Sequence, residues 1–242
     1  MSGPLAASGE PVIPDFGEGS DCVTENRFFC PDWVRDNWSD VIQPALVEHI
    51  KLTVIAVAVG FVISFAAALL THRFRLLERP FGAVSAIVYT VPSLALFQLL
   101  VPITGLTVAT VEVALVGYTL LILYRNILAG LRSAPPDVLE AARGMGLTRW
   151  QTLVRVELPL AVPATIAGLR VAVVSTIALA TVAAFVIPEG LGRPIFLALR
   201  EDFKTEIIVA GGLAVLLALL ADGALVLLQR AVTPWARVRR TA

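Results

Sequence analysis

The segment from Glu140 to Pro159, EAARGMGLTRWQTLVRVELP, decides the fold of this chain. It is polar, but it stands between two long apolar runs. Pro135 and Pro136, just before it, suit the first turn of a helix, where a missing N–H is harmless. Gly144 and Gly146 are expected to end that helix and to allow a tight turn with positive φ. The segment therefore begins with a short helix and a turn.

A second short helix is expected directly after the turn. Thr148 and Gln151 form a Thr-x-x-Gln capping box, in which each side chain accepts a hydrogen bond from the backbone N–H of the other residue. Pro159 is expected to end this helix, because proline removes a backbone hydrogen bond in a helix interior. The sequence thus predicts a polar helix–turn–helix in a loop between two membrane spans.

The composition indicates an integral membrane protein. Of the 242 residues, 57% are hydrophobic and only 16% are charged, whereas a soluble domain has about 25% charged residues. The apolar residues come in runs of the roughly 20 residues that a helix needs to cross a bilayer. We predict an all-α membrane protein with about five transmembrane helices, at residues 50–71, 82–103, 107–129, 161–187 and 206–229.

Charged residues are distributed unequally between the two ends of these spans. Arginines follow the first and last spans and fill the loop of the quoted segment, while acidic residues dominate before the first span. Cytoplasmic loops of membrane proteins carry the excess of Lys and Arg. We therefore expect the N-terminus outside and the C-terminus in the cytoplasm. The regions would be an external acidic tail at 1–48, a transmembrane domain at 49–230 with a cytoplasmic loop at 131–160, and a cytoplasmic basic tail at 231–242.

The acidic tail contains two further features. Apolar residues, Trp33 and Trp38 among them, recur at helical spacing within residues 31–48. They predict an amphipathic helix on the outer membrane surface; a helix that docks on a partner protein is the alternative. Cys22 and Cys30 could form a disulfide in an oxidising compartment, and the alternative is a pair of free thiols.

The second and fourth spans carry residues that shape helix packing. Pro92 should kink or break the second span, which would serve either a pore lining or close packing. In the fourth span, Ala164, Gly168 and Ala172 are four residues apart. Such a face of small side chains predicts the close approach of another helix.

Candidates for the lining of a translocation path are Tyr89, Pro92, Glu112 and Arg170. Ionisable groups inside a bilayer are costly unless they are paired or face water. Glu112 facing a wet path would attract a cationic solute. Arg170 would face the same path, or it would form a structural ion pair with Asp222, or both side chains would extend to the membrane surface.

Enzyme activity and metal binding are not expected. No Gly-Lys pair precedes a Ser or Thr, so the phosphate-binding loop of ATP-binding proteins is absent from the sequence. His49 and His72 lie near opposite ends of one predicted helix, roughly 35 Å apart at about 1.5 Å per residue. They cannot share a metal ion within one chain. A transporter driven by ATP would need a separate ATPase subunit.

The pattern Glu-Ala-Ala, three residues, Gly, nine residues and Ile-x-Leu-Pro is met here with Val156 in place of Ile. The chain therefore resembles the type I ABC importer permeases. The resemblance implies that the loop is a coupling helix, which docks into a groove on a cytoplasmic ATPase. The residues implied in coupling are Asp137, Glu140, Ala141, Ala142, Gly144, Gly146, Glu157 and Pro159.

Other stretches, among them His49–Thr53, Val91–Leu96 and Tyr124–Asn126, are similar to the osmoprotectant subgroup of these permeases, which imports glycine betaine, carnitine, choline or proline betaine. The resemblance implies a multi-pass protein of the bacterial cytoplasmic membrane. Its partners would be two ATPase copies that bind ATP and Mg, a second permease (the same chain or a sister permease) and an external solute-binding protein, docked near loop 188–205. No cofactor is expected on this chain.

Two alternatives to that function remain open. The chain could be the permease for another small solute, such as an amino acid. It could instead be an ATP-independent carrier or channel, which Pro92 and Glu112 would also serve, although the coupling loop would then be unexplained.

Overall fold

The computed structural model describes residues 21–234, and all of their regular structure is helical. Two helical turns open it, and four long helices follow with shorter ones between them. The elements are α1 (Asp21–Thr24), α2 (Pro31–Asp36), a π-helical turn (Trp38–Ile42), α3 (Gln43–Arg73), a 3₁₀ turn (Arg75–Leu77), α4 (Glu78–Thr90), α5 (Ser93–Thr104), α6 (Val108–Leu131), α7 (Pro136–Gly144), α8 (Arg149–Thr152), a second π-helical turn (Leu153–Glu157), α9 (Leu158–Ala183), α10 (Gly192–Glu201) and α11 (Lys204–Val232).

Four helical stretches of the described chain are long and apolar enough to cross a membrane, and a broken pair adds a fifth crossing. The four are Trp38–Arg73, Val108–Leu131, Arg149–Ala183 and Lys204–Val232. The pair is Arg75–Thr90 with Ser93–Thr104, bent by 105°. Glu78 pairs with Arg132 at one end of α6, and the Thr104 hydroxyl contacts that of Thr110 at the other. Because the pair extends over the whole length of α6, it counts as one broken span, and the prediction of about five spans is confirmed.

Pro92 causes the break between α4 and α5. Proline has no N–H and excludes the helical conformation at the residue before it. Val91 accordingly has extended backbone angles, with φ −68° and ψ 130°, and Pro92 caps the start of α5. The predicted break at Pro92 is confirmed.

α6 lies at the centre of the bundle and buries residues along its full length. It approaches α3 and α9 closely where glycines remove the side chain. Gly60 of α3 lies directly against Thr119, and Gly168 of α9 lies against Asn126. Ala172, one turn beyond Gly168, is fully buried, so the predicted small-residue face of α9 is confirmed in its central part. We call the end of the bundle that carries α7 the α7 end, and the other the α10 end.

The N-terminal segment folds onto the α10 end. Cys22 and Cys30 are joined by a disulfide, and the Cys30 N–H donates to the Thr205 hydroxyl at 3.0 Å. The Trp33 ring packs edge-on against Phe203, with centroids 5.0 Å apart. Together these contacts tie residues 22–33 to the corner between α10 and α11.

The structure differs from the predicted surface helix over 31–48. The helix is interrupted at Asn37, and residues 38–48 continue directly into the first long helix. Trp33 therefore packs on protein, while Trp38 is 40% exposed. The sequence periodicity is real, but it belongs to two elements. Of the predicted terminal tails, residues 1–20 and 235–242 lie outside the described part of the chain.

Pro159 does not end a helix, contrary to the prediction. The chain stays helical from Arg149 to Ala183, and Pro159 is the second residue of α9. The π-helical turn just before it explains this outcome. There the Leu158 N–H bonds to the Leu153 carbonyl, five residues back, so the hydrogen-bond pattern has already shifted where proline cannot donate.

Candidate functional site

The loop between α6 and α9 forms the predicted pair of short helices. Pro136 begins α7, with Pro135 as its N-cap. Gly146 has φ +77°, the left-handed conformation expected of the turn, whereas Gly144 is still helical. In the capping box, the Thr148 N–H donates to the Gln151 side chain at 2.8 Å, and the Gln151 N–H donates to the Thr148 hydroxyl at 3.3 Å. The capping-box prediction is confirmed.

The base of this loop is fixed by a contact that the sequence did not indicate. The His72 Nε2 atom, near the end of α3, lies 2.9 Å from a Glu157 carboxylate oxygen. Glu157 is largely buried, with 13% of its side chain exposed. The pair closes one side of a basic groove of about 1080 Å³, whose lining includes Arg73, Arg143 and Arg149. Sequence reasoning considered His72 only as a metal ligand, because its partner is 85 residues away.

The outer surface of the loop is exposed and partly apolar. Glu140 and Ala141 are exposed, while Ala142 faces inward and is buried. Four large apolar side chains are exposed: Met145 at 73%, Trp150 at 68%, Val138 at 42% and Val154 at 41%. Projecting apolar groups on a polar, rigidly capped loop are typical of a protein-docking surface. Met145 and Trp150 were not among the predicted coupling residues, although a tryptophan in a polar loop is a usable signal.

A second candidate site lies where the α4–α5 pair breaks. A cavity of about 460 Å³ is bounded by α4, α5, α6 and α9. Tyr89 and Pro92, two of the predicted path residues, line it together with Tyr118. The Tyr118 hydroxyl donates to the Val91 carbonyl, in the break itself. The rings of Tyr89 and Tyr118 are 6.0 Å apart between centroids and inclined at 68°. Tyr118 was missed, because it follows Tyr89 by almost thirty residues with no shared motif.

The other two predicted path residues lie elsewhere. Neither lines the cavity at the break. Both carboxylate oxygens of Glu112 are enclosed, and neither has a hydrogen-bond partner among the described residues. Arg170 forms a two-pronged pair with Asp222, with N–O distances of 2.7 and 2.9 Å. This is the structural ion pair that the sequence left open, and it joins α9 to α11.

The connection between α9 and α10 is clamped to the start of α3. The His49 Nε2 atom bonds the Ile177 carbonyl at 3.1 Å, and its Nδ1 atom accepts from the Leu191 N–H at 3.3 Å. The Gly190 N–H donates to the Glu48 carboxylate at 3.1 Å. His49 therefore carries its proton on Nε2, and its role is to hold three elements together. Within the described residues, no group of acidic, His or Cys side chains is arranged to hold a metal ion.

The neighbouring Glu189 has a raised pKa. Burial is the main cause, and the adjacent Glu48 carboxylate adds both repulsion and a hydrogen bond that favours the protonated form. The positive charge of Arg193 lowers the pKa of Glu189 and so partly offsets these effects. The predicted external loop at 188–205 is thus an ordered structure, built around α10 and anchored by a carboxyl pair.

Comparisons with known proteins agree with these features. The permease protein OpuCB of the glycine betaine/carnitine/choline transport system of Bacillus subtilis (strain 168) is 34% identical in an alignment of 191 residues, which covers 77% of this chain and 86% of that protein. The osmoprotectant import permease protein OsmW of Salmonella typhimurium is also 34% identical, over 77% of this chain and 89% of that protein. The carnitine transport permease protein OpuCB of Listeria monocytogenes is 33% identical, over 77% of this chain and 86% of that protein.

A solved structure gives the same fold. A chain of the MetNI methionine ABC transporter in an inward-facing conformation superposes with a TM-score of 0.70 at 23% identity, over 80% of this chain and 96% of that one. The model of one transport family matches residues 60–238. The chain therefore belongs to the family of inner membrane components of binding-protein-dependent transport systems.

Proposed function

We propose that this chain is the membrane-spanning subunit of an ATP-driven importer for osmoprotectants that carry a quaternary ammonium group, such as glycine betaine, choline, carnitine or proline betaine. The observation that carries the proposal is its 33–34% identity, over 77% of its length, to permeases named for glycine betaine, carnitine or choline. This similarity covers most of the chain and therefore includes the membrane spans. The spans are where a solute would be selected.

Coupling to the ATPase is assigned to the loop of α7 and α8. The exposed Glu140, Ala141, Met145 and Trp150 would enter a groove on the ATPase, and the buried Ala142 would hold α7 to the rest of the loop. Gly146 supplies the turn and Glu157 the anchor to α3. ATP and Mg would be bound by two copies of that separate subunit. A second permease and an external solute-binding protein would complete the complex.

The orientation follows from the arginines. The α7 end carries the arginine-rich loop, the arginines that follow α3 and Arg230 in the last turn of α11, so we assign it to the cytoplasm. The α10 end, with the disulfide and the clamped 187–191 connection, would then face the solute-binding protein.

The test is uptake of labelled glycine betaine into proteoliposomes that contain this chain with its ATPase, binding protein and any sister permease. Uptake that requires ATP and is competed by choline or carnitine is the expected result. ATP hydrolysis stimulated by the binding protein without betaine uptake would retain the importer and reject the solute class. Betaine uptake that is indifferent to ATP would contradict the coupling role of the loop.

A further inference from the structure

The cavity at the broken span has the features of a small-molecule site. Its volume of about 460 Å³ falls in the range of roughly 300–1,000 Å³ that is usual for ligand pockets. We propose that it is a subsite for the trimethylammonium group of the transported solute, held against the rings of Tyr89 and Tyr118. This inference rests on the proposed function and specifies a place in the membrane where the solute is bound.

The two tyrosine rings form adjoining walls of the cavity. Their centroids are 6.0 Å apart and their planes meet at 68°, so a cation beside one ring lies within reach of the other. A cation within about 6 Å of an aromatic face is attracted by the ring quadrupole. Tyr118 is almost fully buried and is fixed by its hydrogen bond to the Val91 carbonyl. Tyr89 is 44% exposed and would close over the bound group.

The backbone at the break favours a positive charge. Tyr89, Thr90 and Val91 line the cavity where α4 ends. Carbonyl groups at the end of a helix carry partial negative charge, and those of Tyr89 and Thr90 are the last of α4. Among the residues that the structure describes, no Lys, Arg, Asp or Glu lines the cavity, so no cationic side chain cancels this partial charge.

The hydrogen bonding of the lining selects the type of cation. The hydroxyls of Thr90, Thr119 and Thr176 donate to carbonyls of their own helices. A primary ammonium would lose its hydrogen bonds to water here, whereas a quaternary ammonium makes none. The hydroxyls of Ser93 and Ser175, which also line the cavity, have no partner within the described part of the chain. They are available to the carboxylate or hydroxyl at the other end of such a solute.

The test compares choline with 3,3-dimethylbutan-1-ol, which has the same shape and no charge. The full-length chain is reconstituted in nanodiscs of phosphatidylethanolamine and phosphatidylglycerol, because these lipids lack a choline headgroup. Binding is measured by equilibrium dialysis of labelled choline, with displacement by each unlabelled compound. Choline is expected to bind more tightly than the neutral alcohol. The variant Y89L should weaken choline binding by about fivefold to thirtyfold, the usual strength of one cation–π contact.

The matched control is Y89F, which keeps the ring and should retain choline binding within about twofold. In Y89L, binding of the neutral alcohol should be unchanged, because its attraction to the ring is not electrostatic. An equal loss of affinity for both compounds in Y89L would contradict the proposed subsite. Unchanged choline binding in Y89L, or no saturable choline binding to the wild type, would contradict it as well.

Failure of the site and failure of the proposed function are distinguishable in the complete complex. Betaine uptake that is the same in the wild type and Y89L would overturn the subsite and leave the importer standing. Selective choline binding at the cavity, with no uptake of any quaternary ammonium solute by the wild-type complex, would support the subsite and overturn the proposed transport function.

Discussion

At the scale of single residues, the close approach of α3 to α6 depends on Gly60. A Cβ atom placed at this position would overlap the Thr119 hydroxyl of α6. Added atoms in a packed interior force neighbouring groups apart, at a cost of about 1–3 kcal/mol. The contact therefore sets the distance between α3 and the central helix.

We predict that Gly60→Ala lowers the thermal unfolding midpoint of the purified chain in detergent, despite the higher helix propensity of alanine. Gly211→Ala is the matched control, because Gly211 also lies within a long helix but has open space where its Cβ would be. That variant should be neutral or stabilising. If both substitutions lowered the midpoint equally, the effect at Gly60 would not come from a close contact between α3 and α6.

Glu112 is the one described residue whose side-chain oxygens are enclosed without a hydrogen-bond partner. Such a carboxylate is costly in a membrane, and a cation that passes close to it would offset that cost. We predict that Glu112→Gln lowers the rate of uptake of a cationic solute such as choline, while the chain still folds. Uptake kinetics identical to those of the wild type would remove Glu112 from the path.

Residue-level prediction from sequence succeeded where the signal was local. The capping box at Thr148 and the left-handed turn at Gly146 follow from neighbours in the chain, and both are present. It failed where the partner is distant. The roles of Tyr118, His49 and His72 depend on contacts across the bundle. No spacing in the sequence predicts those contacts.

At the scale of elements, the loop of α7 and α8, which we assign to coupling, joins two spans through short capped helices. Its turn depends on Gly146, whose φ of +77° is unfavourable for residues with a side chain, although Asn tolerates it better than most. The π-helical turn at Leu153–Glu157 allows the chain to pass Pro159 without a break, so the loop is continuous with α9. A displacement of α8 would thus reach the membrane directly.

We predict that Gly146→Asp uncouples ATP hydrolysis from uptake in the reconstituted complex, because it adds a charge to the surface assigned to ATPase docking. Gly146→Asn has nearly the same shape without the charge, and should retain most of the coupling. The measurement is the ratio of solute imported to ATP hydrolysed. Full coupling in the Asp variant would refute the assignment of this loop.

The connection that precedes α10 should loosen as the pH rises. The pKa of Glu189 is raised above its ordinary value of 4.5 by burial and by Glu48. A carboxyl with a raised pKa favours the folded state when protonated, so its contribution is complete below pH 4.5 and is lost as the pH rises through the raised pKa. Protection of the Gly190 and Leu191 amides from hydrogen exchange should therefore fall across that range.

The variant Glu189→Gln isolates this effect. His49 accepts a hydrogen bond from Leu191, and its protonation at low pH would weaken the same connection, so the comparison is made between wild type and variant at each pH. Their protection should be similar at low pH and diverge as the pH rises, with the variant remaining more protected. Parallel curves would show that Glu189 does not control the connection.

At the scale of the whole molecule, the broken α4–α5 pair determines how the chain is threaded. Four unbroken helices alone would place both ends of the described chain on one side, and the pair adds the crossing that separates them. The sequence predicted this topology because hydropathy and arginine placement are summed over many residues. It could not predict the 105° bend, because proline fixes where a helix breaks and the packing against α6 fixes the angle.

The assigned orientation can be measured with single cysteines in a chain that carries Cys22→Ser and Cys30→Ser. Met145 in the loop of α7 and α8 and Leu199 in α10 are both well exposed, at 73% and 56%. In intact spheroplasts, a membrane-impermeant maleimide should label Leu199→Cys at once and Met145→Cys only after the membrane is opened. The reverse pattern would invert the assigned topology and place the loop of α7 and α8 outside the cytoplasm.

The disulfide between Cys22 and Cys30 depends on which side of the membrane the N-terminal segment reaches. The bond joins the only two cysteines of the chain, and such bonds form in oxidising compartments and are rare in the cytosol. A molecule inserted the wrong way round would keep two reduced thiols and would lack the clasp that holds residues 22–33 to the α10–α11 corner. The covalent state of residues 22 and 30, read by mass spectrometry of freshly made protein, would therefore report whether a molecule has the assigned orientation.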